Sequence, residues 1–385
     1  MLQGAGINVV QDEVVSIDDT AKSLSTAQGQ SFSWDKLFLA TGSSSFVPPI
    51  EGAHFTGVMT LRGLPDAVNI KKYLRESGGR KIVFIGAGFI SMEVASLLAE
   101  ADRSYEIAVV ELMDRPLPLM LDADMAGSVR EYLEEKGLKI FTGRKVEKII
   151  GSGGTVTGVQ LDGGETVDAD VVFMNVGVRP NLELADALGL EMGQFGIKVN
   201  EYQETSNPDI LAGGDCVEKF NYITKKPTPG QLRGPAVVQG RLAAKRLAGY
   251  DIAFPGVLDA GGCKMFDMTI TATGFTETRA ADEGIETVCA IVDSRSKHNM
   301  IPGMKPWKIK LVFDRGTTKL IGGQIVSHDI APAREIDAVT AFILGGKTIA
   351  ELTTFTSACN PDISSEPSAE PITIAAEQAL QKAKA

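Results

Sequence analysis

Two glycines and one acid are the residues of this chain whose types and spacing best suit chemistry. The stretch GAGFISME, Gly86–Glu93, has glycine at its first and third positions, and Glu111 follows 25 residues after Gly86. The first glycine permits a tight turn, and Gly88 lets the backbone approach a pyrophosphate. A helix beginning there would offer the anion free N–H groups and the positive end of its dipole. Ser91 occupies the third small position. The pattern predicts a dinucleotide-binding turn.

Glu111 is predicted to select the cofactor. A carboxylate at this place accepts hydrogen bonds from a ribose diol and repels a 2′-phosphate, so NADH is favoured over NADPH. The alternative is a solvated acid at the end of a strand. Arg115 lies four residues further on, and its charge keeps NADPH open as the less favoured cofactor.

The sequence on either side of these residues predicts the strands and the helix that position them. Ile82–Ile85 is a short apolar strand, a helix with apolar residues at helical spacing follows the turn, and YEIAVVEL is a second strand ending at Glu111. This order is that of a βαβ unit. A further helix is predicted over Ala123–Glu135, followed by short hairpin strands that return to the main sheet through Val171–Val176.

The chain contains an internal repeat. DKLFLATG, Asp35–Gly42, aligns without a gap with DVVFMNVG, Asp170–Gly177, and Gly6–Val10 aligns with Gly137–Phe141. Gly86 lies 51 residues before Gly137, and the same distance before Gly6 falls about 45 residues ahead of Met1. We therefore expect the first copy to start inside its unit, without an opening strand, phosphate turn and helix.

Other reactive residues give weaker signals. Asp215 follows a strand and two glycines, where it could bind hydroxyl groups or cap a helix. The cysteines, among which Cys216 is interpreted as a small buried residue, are scattered without a CxxC pair, so neither a disulfide framework nor a zinc site is indicated. We assign no metal site, and no acid–base role to the three histidines, which are His54, His298 and His328.

Composition excludes some classes of partner. The net charge is −11 and the pI is about 5.0, without the concentrated basic patch that nucleic acid or an anionic membrane surface requires. No apolar run reaches the roughly 18 residues of a membrane span, and the N-terminus does not read as a signal peptide. The expected location is the cytoplasm.

The last part of the chain reads as an α+β domain of the interface type. It begins near Phe254, and KMFDMTITATGFTE, TVCAIVDS and WKIKLVFDRGTTKLIGGQIVS are predicted strands with hairpin turns. Two helices, at about Ala333–Leu344 and Ile372–Ala383, are predicted to close it.

Seven motifs in this order resemble the pyridine nucleotide–disulfide oxidoreductase family, and within it the branch of NADH oxidases, NADH peroxidases and coenzyme A-disulfide reductases. They are LFLATGS, IGAGFISMEVA, NVGVRPN, TSNPDILAGGDC, GPAVVQGRLAA, MFDMTITATGFTE and IPGMKPWKIKLVFD, and they span nearly the whole chain. The resemblance implies an α/β protein with two related dinucleotide-binding (Rossmann-like) domains, the first incomplete, and a C-terminal α+β dimerisation domain that makes a homodimer. The predicted domains are 1–64 and 179–252 for FAD, 65–178 for NAD(H) and 253–385 for dimerisation.

The implied activity is hydride transfer from NADH through FAD to a disulfide, persulfide, peroxide or oxygen, carried by a small molecule or a small redox protein. In this branch the reactive cysteine and the first GxGxxG turn, which would hold the FAD pyrophosphate, lie in an N-terminal segment ahead of the residues seen here. Because the hydrogen bonds of that turn would be missing, we expect weak or no FAD binding by this chain. The alternative is an inactive chain or subunit that only binds NADH and dimerises.

The resemblance also implies site residues. Those for NAD are Gly86, Ala87, Gly88, Phe89, Ile90, Glu93, Glu111 and Gly177. Those for FAD are Ala40, Thr41, Gly42, Asp215, Pro235 and Ala236. In the family, Phe89 would cover the flavin until NADH displaces it and Glu93 would reach the carboxamide, whereas chemistry alone leaves Phe89 as core and Glu93 as a helix-dipole partner. The helix that contains Pro235 would point its N-terminus at the flavin, or would simply pack.

The C-terminal segment ACNPDISSEPSAEPI departs from the family pattern. Members of the branch often present Tyr or His there to the partner subunit, where this chain has Cys359 and Ile363. This weakens the case for coenzyme A-disulfide reductase activity. Cys359 is a weak candidate for a redox thiol, and a free unreactive cysteine is the alternative.

Overall fold

A computed structural model of the protein describes residues 3–384. Its strands are β1 Val14–Asp18, β2 Ser23–Thr26, β3 Ser31–Ser33, β4 Leu37–Leu39, β5 Ser43–Ser45, β6 Val58–Met59, β7 Lys81–Ile85, β8 Glu106–Glu111, β9 Lys139–Thr142, β10 Val146–Ser152, β11 Thr155–Leu161, β12 Thr166–Asp168, β13 Val171–Met174, β14 Val178–Pro180, β15 Ile210–Ala212, β16 Lys219–Phe220, β17 Pro227–Thr228, β18 Gly261–Met265, β19 Met268–Gly274, β20 Thr287–Arg295, β21 Pro306–Asp314 and β22 Leu320–Ser327. Its α-helices are α1 Leu64–Ser77, α2 Phe89–Ala101, α3 Ala123–Glu135, α4 Glu183–Ala187, α5 Arg233–Leu247, α6 Glu277–Asp282, α7 Ile330–Ala333, α8 Glu335–Leu344, α9 Ile349–Leu352 and α10 Pro371–Lys384.

The chain divides into two compact units. The first unit consists of the residues up to Ser44 together with Val178–Val257, and the second of Ser45–Gly177 together with the residues from Leu258 onward. The four-domain boundaries given above stay predictions.

A five-stranded parallel sheet of order β6-β13-β7-β8-β9 forms the nucleotide-binding part of the second unit. Its central strands are apolar and buried, as expected for a parallel sheet covered on both faces. Phe84 of β7 stacks on Phe173 of β13 with ring centroids 4.7 Å apart. The predicted strand–turn–helix–strand order is confirmed, and α3 has the predicted bounds.

The second unit also contains two antiparallel sheets. The predicted flap is β10-β11-β12, and the C-terminal sheet has the order β18-β19-β22-β21-β20. Helix α10 packs on β20 and β21, and α8 packs on β19 and β22. The helix predicted from Ala333 begins two residues later, at Glu335, because the short turn α7, which contains Pro332, precedes it.

The first unit repeats part of this design. Three antiparallel strands, β1-β2-β3, precede β4, just as β10-β11-β12 precede β13. Strand β4 pairs in parallel with β15, with Leu37 opposite Ile210. One pair of aligned segments differs between the two copies of the repeat. Strand β9 lies in the second copy, whereas the aligned residues 7–10 of the first copy form no strand in the described structure. A strand needs hydrogen-bond partners from a neighbour, and no neighbouring strand is described there.

A search of the described helices found none with the length and apolarity needed to cross a bilayer.

Candidate functional site

The glycine turn between β7 and α2 requires glycine at its first position. Gly86 has φ of +94°, and a Cβ there would lie 3.1 Å from the carbonyl oxygen of Asn175. Its N–H donates to the carbonyl of Val110 at 2.8 Å, which ties the turn to β8. Any side chain at Gly86 would combine left-handed backbone strain with a close contact.

Gly88 lies in a different environment. It precedes α2 as the N-cap residue with φ −71° and ψ 170°, which any residue adopts. A Cβ there would meet no heavy atom of the described chain within 4 Å. The first bond of the helix runs from the N–H of Met92 to the carbonyl of Gly88, so the N–H groups of Phe89 and Ile90 have no acceptor within the helix. Open space before free donors at a helix N-terminus fits a pyrophosphate.

Ser91 packs closely under this turn, and its hydroxyl is fully buried without a hydrogen-bond partner among residues 3–384. A buried hydroxyl left unsatisfied costs about 1–3 kcal/mol. We therefore expect Ser91→Ala to raise the free energy of unfolding by about 1 kcal/mol. Urea denaturation of the two proteins checks this, with Ser128→Ala as the control because the Ser128 hydroxyl donates to the carbonyl of Met125. A loss of stability in Ser91→Ala would show that the hydroxyl has an acceptor.

Glu111 is held against the turn. The residue is only 8% exposed, and its carboxylate accepts hydrogen bonds from the N–H of Ala87 at 2.6 Å and of Met113 at 2.8 Å. It is therefore not the solvated acid of the alternative interpretation. A carboxylate has about four acceptor sites, so two backbone bonds leave capacity for a ribose diol.

Arg115 is bonded to neighbouring protein groups. Its side chain is buried, and the guanidinium donates to the carbonyl of Leu121 at 2.8 Å, to Asp114 at 2.6 Å and to the hydroxyl of Thr278 at 3.1 Å. With these partners it is bonded to α6 and to its own loop. The preference for NADH over NADPH stays a prediction.

The remaining residues predicted for NAD lie at the same edge of the sheet or on α2. Phe89 is 39% exposed, so the alternative of a core residue is wrong. Glu93 accepts a hydrogen bond from the N–H of Lys264 in β18 at 3.2 Å. Gly177, at φ +124°, follows β13, and its carbonyl accepts the N–H of Phe46 at 2.9 Å.

In the first unit, the turn after β4 is held by a residue that sequence reasoning missed. This residue is Asn181. Its side-chain amide donates to the carbonyl of Thr41 at 2.9 Å, and its backbone carbonyl accepts a hydrogen bond from the Thr41 hydroxyl at 2.8 Å. The N–H of Asn181 also donates to the carbonyl of Gly42 at 3.0 Å. Gly42 has φ +70°, and a Cβ there would meet no described atom within 4 Å. The signal was available, since Asn181 ends the NVGVRPN motif.

Asp215 lies opposite that turn. It is buried within a short 3-10 helix, Gly214–Cys216, so it does not cap an α-helix. Its carboxylate accepts a hydrogen bond from the Ser43 hydroxyl at 3.0 Å. The preceding N–H, of Gly214, donates to the side chain of Gln239 in α5 at 3.0 Å. These two hydrogen bonds link the turn that contains Asp215 to the turn after β4 and to α5, which are the segments predicted to contact FAD.

The N-terminus of α5 completes this group. Pro235 and Ala236 lie in its first turn, and a Cβ on Gly214 would come 3.8 Å from that of Ala236. At Gly234 an added Cβ would meet nothing in the described structure within 4 Å. A buried carboxylate, a glycine turn and an open helix N-terminus fit the hydroxyl chain and the electron-accepting ring of a flavin.

The four cysteines differ in burial and in their surroundings. Burial raises the pKa of the Cys263 and Cys289 thiols to about 12, and the nearby Glu93 and Glu277 carboxylates respectively reinforce this. Cys216 is buried beside the carbonyl of Gly213. Cys359 is exposed, and its thiol donates to the carbonyl of Ser357 at 3.4 Å.

Three carboxylates lie close enough to hold a metal ion, but an ammonium group lies among them. Asp122, Asp124 and Glu277 surround Lys310, whose side chain is 1% exposed. The Nζ atom lies 3.1 Å from Asp122 and 2.7 Å from Asp124, and it also donates to Glu277. Sequence reasoning gave no sign of this cluster.

Comparison with known proteins gives a consistent result. The sequence model described as pyridine nucleotide-disulphide oxidoreductase matches residues 2–240, and that of its dimerisation domain matches residues 261–370. An NADH oxidase from Methanocaldococcus jannaschii is 38% identical over 91% of this chain and 76% of its own length. An NAD(P)H sulfur oxidoreductase (CoA-dependent) from Pyrococcus furiosus is 34% identical over 83% of this chain and 71% of its own. Among solved structures, the NAD-dependent persulfide reductase from A. fulgidus superposes with a TM-score of 0.93 at 34% identity, covering 98% of this chain and 70% of that one.

Proposed function

This chain belongs to the pyridine nucleotide-disulphide oxidoreductase family, and from that premise we propose that it passes hydride from NADH through FAD to a small acceptor with a sulfur–sulfur bond. It is an NADH-dependent flavoprotein oxidoreductase, as its relatives are NADH oxidases and sulfur or persulfide reductases. These relatives do not favour the alternative of an inactive chain.

The glycine turn supports NADH as the donor, and this is the observation on which the proposal mainly rests. Gly88 leaves space for the pyrophosphate, the N–H groups of Phe89 and Ile90 face it, and Glu111 has acceptor capacity for the ribose. Because the Arg115 guanidinium donates to Leu121, Asp114 and Thr278, it is not free to receive a 2′-phosphate. We propose that NADH is preferred over NADPH.

The residues of the first unit would hold the flavin. Asp215 would accept hydrogen bonds from its ribityl hydroxyls, the backbone of Ala40–Gly42 would approach it closely, and the N-terminus of α5 would favour negative charge on the ring. When bound, FAD supplies the chemistry of accepting a hydride and giving up its electrons to a second acceptor.

The acceptor class follows from chemistry and from relatives. A disulfide takes two electrons and two protons to give two thiols, so NADH and one proton are consumed per bond broken. A persulfide gives one thiol and hydrogen sulfide for the same two electrons. Similarity to the persulfide reductase supports this class. Oxygen is the second candidate, supported by similarity to the NADH oxidase. We further propose a cytoplasmic homodimer formed through residues 261–370.

Steady-state NADH consumption across acceptors tests the proposal. The full chain with added FAD would be assayed without oxygen against coenzyme A disulfide, coenzyme A persulfide, polysulfide, peroxide and an oxidised small redox protein, and separately with oxygen. We expect sulfur acceptors to give a kcat/KM at least about tenfold above the other acceptors. Faster turnover with oxygen would favour the second candidate, and no NADH consumption with any acceptor would contradict both.

Glu111→Ala should weaken NADH binding. Loss of hydrogen bonds to a charged acceptor, each worth about 1.5–3 kcal/mol, predicts an affinity about 10–100-fold lower. NADPH affinity should fall less, because repulsion of the 2′-phosphate is also removed. Titration of intrinsic or NADH fluorescence measures both. Glu111→Gln is the matched control, since its amide oxygen still accepts one backbone N–H. Unchanged NADH affinity in Glu111→Ala would remove this residue from the site.

A further inference from the structure

A buried ammonium group lies beneath the turn that contains Asp215. Lys219, in β16, is 1% exposed, although lysine is rarely buried without partners. Its Nζ donates to the carbonyls of Gly214 at 2.7 Å, Val217 at 3.3 Å and Pro229 at 3.3 Å. Burial of an ammonium group costs several kcal/mol unless such bonds replace water, so this arrangement is a specific one.

The surrounding chain makes room for this side chain. A Cβ on Gly230, at φ +50°, would lie 3.0 Å from both the Lys219 Cδ atom and the side chain of Val257. Glycine at this position therefore leaves the lysine stem its channel. The Cδ atom of the stem lies beside Gly230, and the charged end reaches the turn.

The three acceptors belong to two segments of the proposed flavin site. Gly214 and Val217 flank Asp215, whereas Pro229 lies in the connection that leads into α5. One ammonium group therefore joins the turn of the acidic residue to the approach of the helix. Two further bonds act on the same turn, since Gln239 accepts the N–H of Gly214 and Ser43 donates to the carboxylate of Asp215.

We propose that Lys219 is a positioning residue for flavin binding: it fixes the carbonyl of Gly214, and with it the direction of the Asp215 carboxylate. This inference rests on the proposed function, because it takes Asp215 to contact FAD. Lys219 itself lies beneath the turn and acts through Asp215. A neutral side chain of similar length can fill the channel, but it cannot bond to three carbonyls.

The first part of the test needs no FAD. Backbone amide exchange is compared in the wild-type chain, in Lys219→Met, and in Lys245→Met, which removes an exposed lysine from α5. We expect the amides of Gly214 and Val217 to exchange at least about tenfold faster in Lys219→Met only. The amide of Leu37, bonded to the carbonyl of Asp209, should be unaffected. Unchanged exchange at Gly214 and Val217 would overturn the proposal.

The second part separates positioning from a general loss of stability. FAD affinity is measured for the wild type, Lys219→Met, Asp215→Asn and the double variant. If Lys219 acts through Asp215, each single change lowers affinity about 10–100-fold and the double variant is no more than about threefold weaker than the weaker single. The proposal would be overturned if the double variant lost FAD affinity by the product of the two single losses. The affinity for NADH should be the same in all four proteins.

Two outcomes distinguish this inference from the proposed function. Weak FAD binding by the wild-type chain agrees with the incomplete first unit expected from the sequence, and the variants are then compared with the wild type at high FAD concentration. Complete absence of FAD binding counts against the flavin role of Lys219 in this chain, whatever the amide-exchange result. Normal FAD binding by Lys219→Met counts against Lys219 alone. Should Lys219→Met fail to fold, Lys219→Gln replaces it in the comparison, with a shorter side chain that donates hydrogen bonds. An FAD affinity of Lys219→Gln equal to that of the wild type would contradict the proposal.

Discussion

Replacing Gly88 with aspartate is expected to lower NADH affinity at least about 100-fold without destabilising the protein. The new side chain would enter space that holds no described atom within 4 Å. Its carboxylate would accept hydrogen bonds from the first N–H groups of α2, which are the groups that a pyrophosphate needs, and would repel that anion. Aspartate is a preferred N-cap residue and interacts favourably with the helix dipole, so stability should be equal or higher by up to about 1 kcal/mol.

Gly86→Ala is the matched control for this change. Its φ of +94° and the nearby carbonyl of Asn175 predict a loss of stability by about 1–3 kcal/mol. The pair therefore separates a binding effect at Gly88 from a folding effect at Gly86. Calorimetric titration with NADH and thermal unfolding without it measure the two effects. NADH affinity of Gly88→Asp within threefold of the wild type would place the pyrophosphate elsewhere.

Lys310→Met is expected to lower the free energy of unfolding at neutral pH by about 3–5 kcal/mol, because it leaves the buried carboxylate of Asp122 without its cation, next to two partly exposed carboxylates. Lys310 is 1% exposed and contacts Asp122, Asp124 and Glu277. Asp122 is itself buried and also accepts hydrogen bonds from Gln324 at 2.6 Å and from the N–H of Glu277 at 3.0 Å. Methionine fills the same channel, so the loss should come from charge rather than from a cavity.

The pH dependence of this effect has a definite sign. Burial works to raise the pKa of Asp122, but hydrogen bonds from Glu277 and Gln324 and the charge of Lys310 bring it below the ordinary value of 3.8. A lowered pKa means that Asp122 contributes stability above pH 3.8, which is lost as the pH falls through the folded-state pKa. Without Lys310 burial should prevail and raise that pKa. The loss in free energy of unfolding caused by Lys310→Met should therefore be about 1 kcal/mol smaller at pH 5 than at pH 7.

Lys308→Met is the matched control, since Lys308 lies two residues earlier on β21, is half-buried, and has its Nζ atom 3.7 Å from the exposed carboxylate of Asp293. A change below about 1 kcal/mol is expected there. Urea denaturation in a Trp34→Phe background would make Trp307, also in β21, report on the second unit. This explanation would be contradicted if Lys310→Met and the wild type had the same free energy of unfolding. It would also be contradicted if the difference between them were larger at pH 5 than at pH 7.

Local sequence patterns were sufficient for the elements of the nucleotide-binding part. The strand, turn and helix around Gly86 follow from apolar periodicity and from residues whose backbone demands are local. The bounds of α3 and the end of β8 at Glu111 follow in the same way. The carboxyl ends of parallel strands also share one edge, so the sequence placed Glu111 beside the turn.

The orientation and pairing of individual side chains required the tertiary structure. Sequence left Arg115 near a phosphate, but packing directs it to Leu121 and Thr278. Sequence analysis gave no role to Lys219 or Lys310, and it quoted Asn181 only as part of a motif. Each acquires its role from partners distant in sequence, such as Asp122 for Lys310. Periodicity and turn chemistry encode which face of an element is apolar, whereas charge pairing depends on which elements meet after the chain has folded.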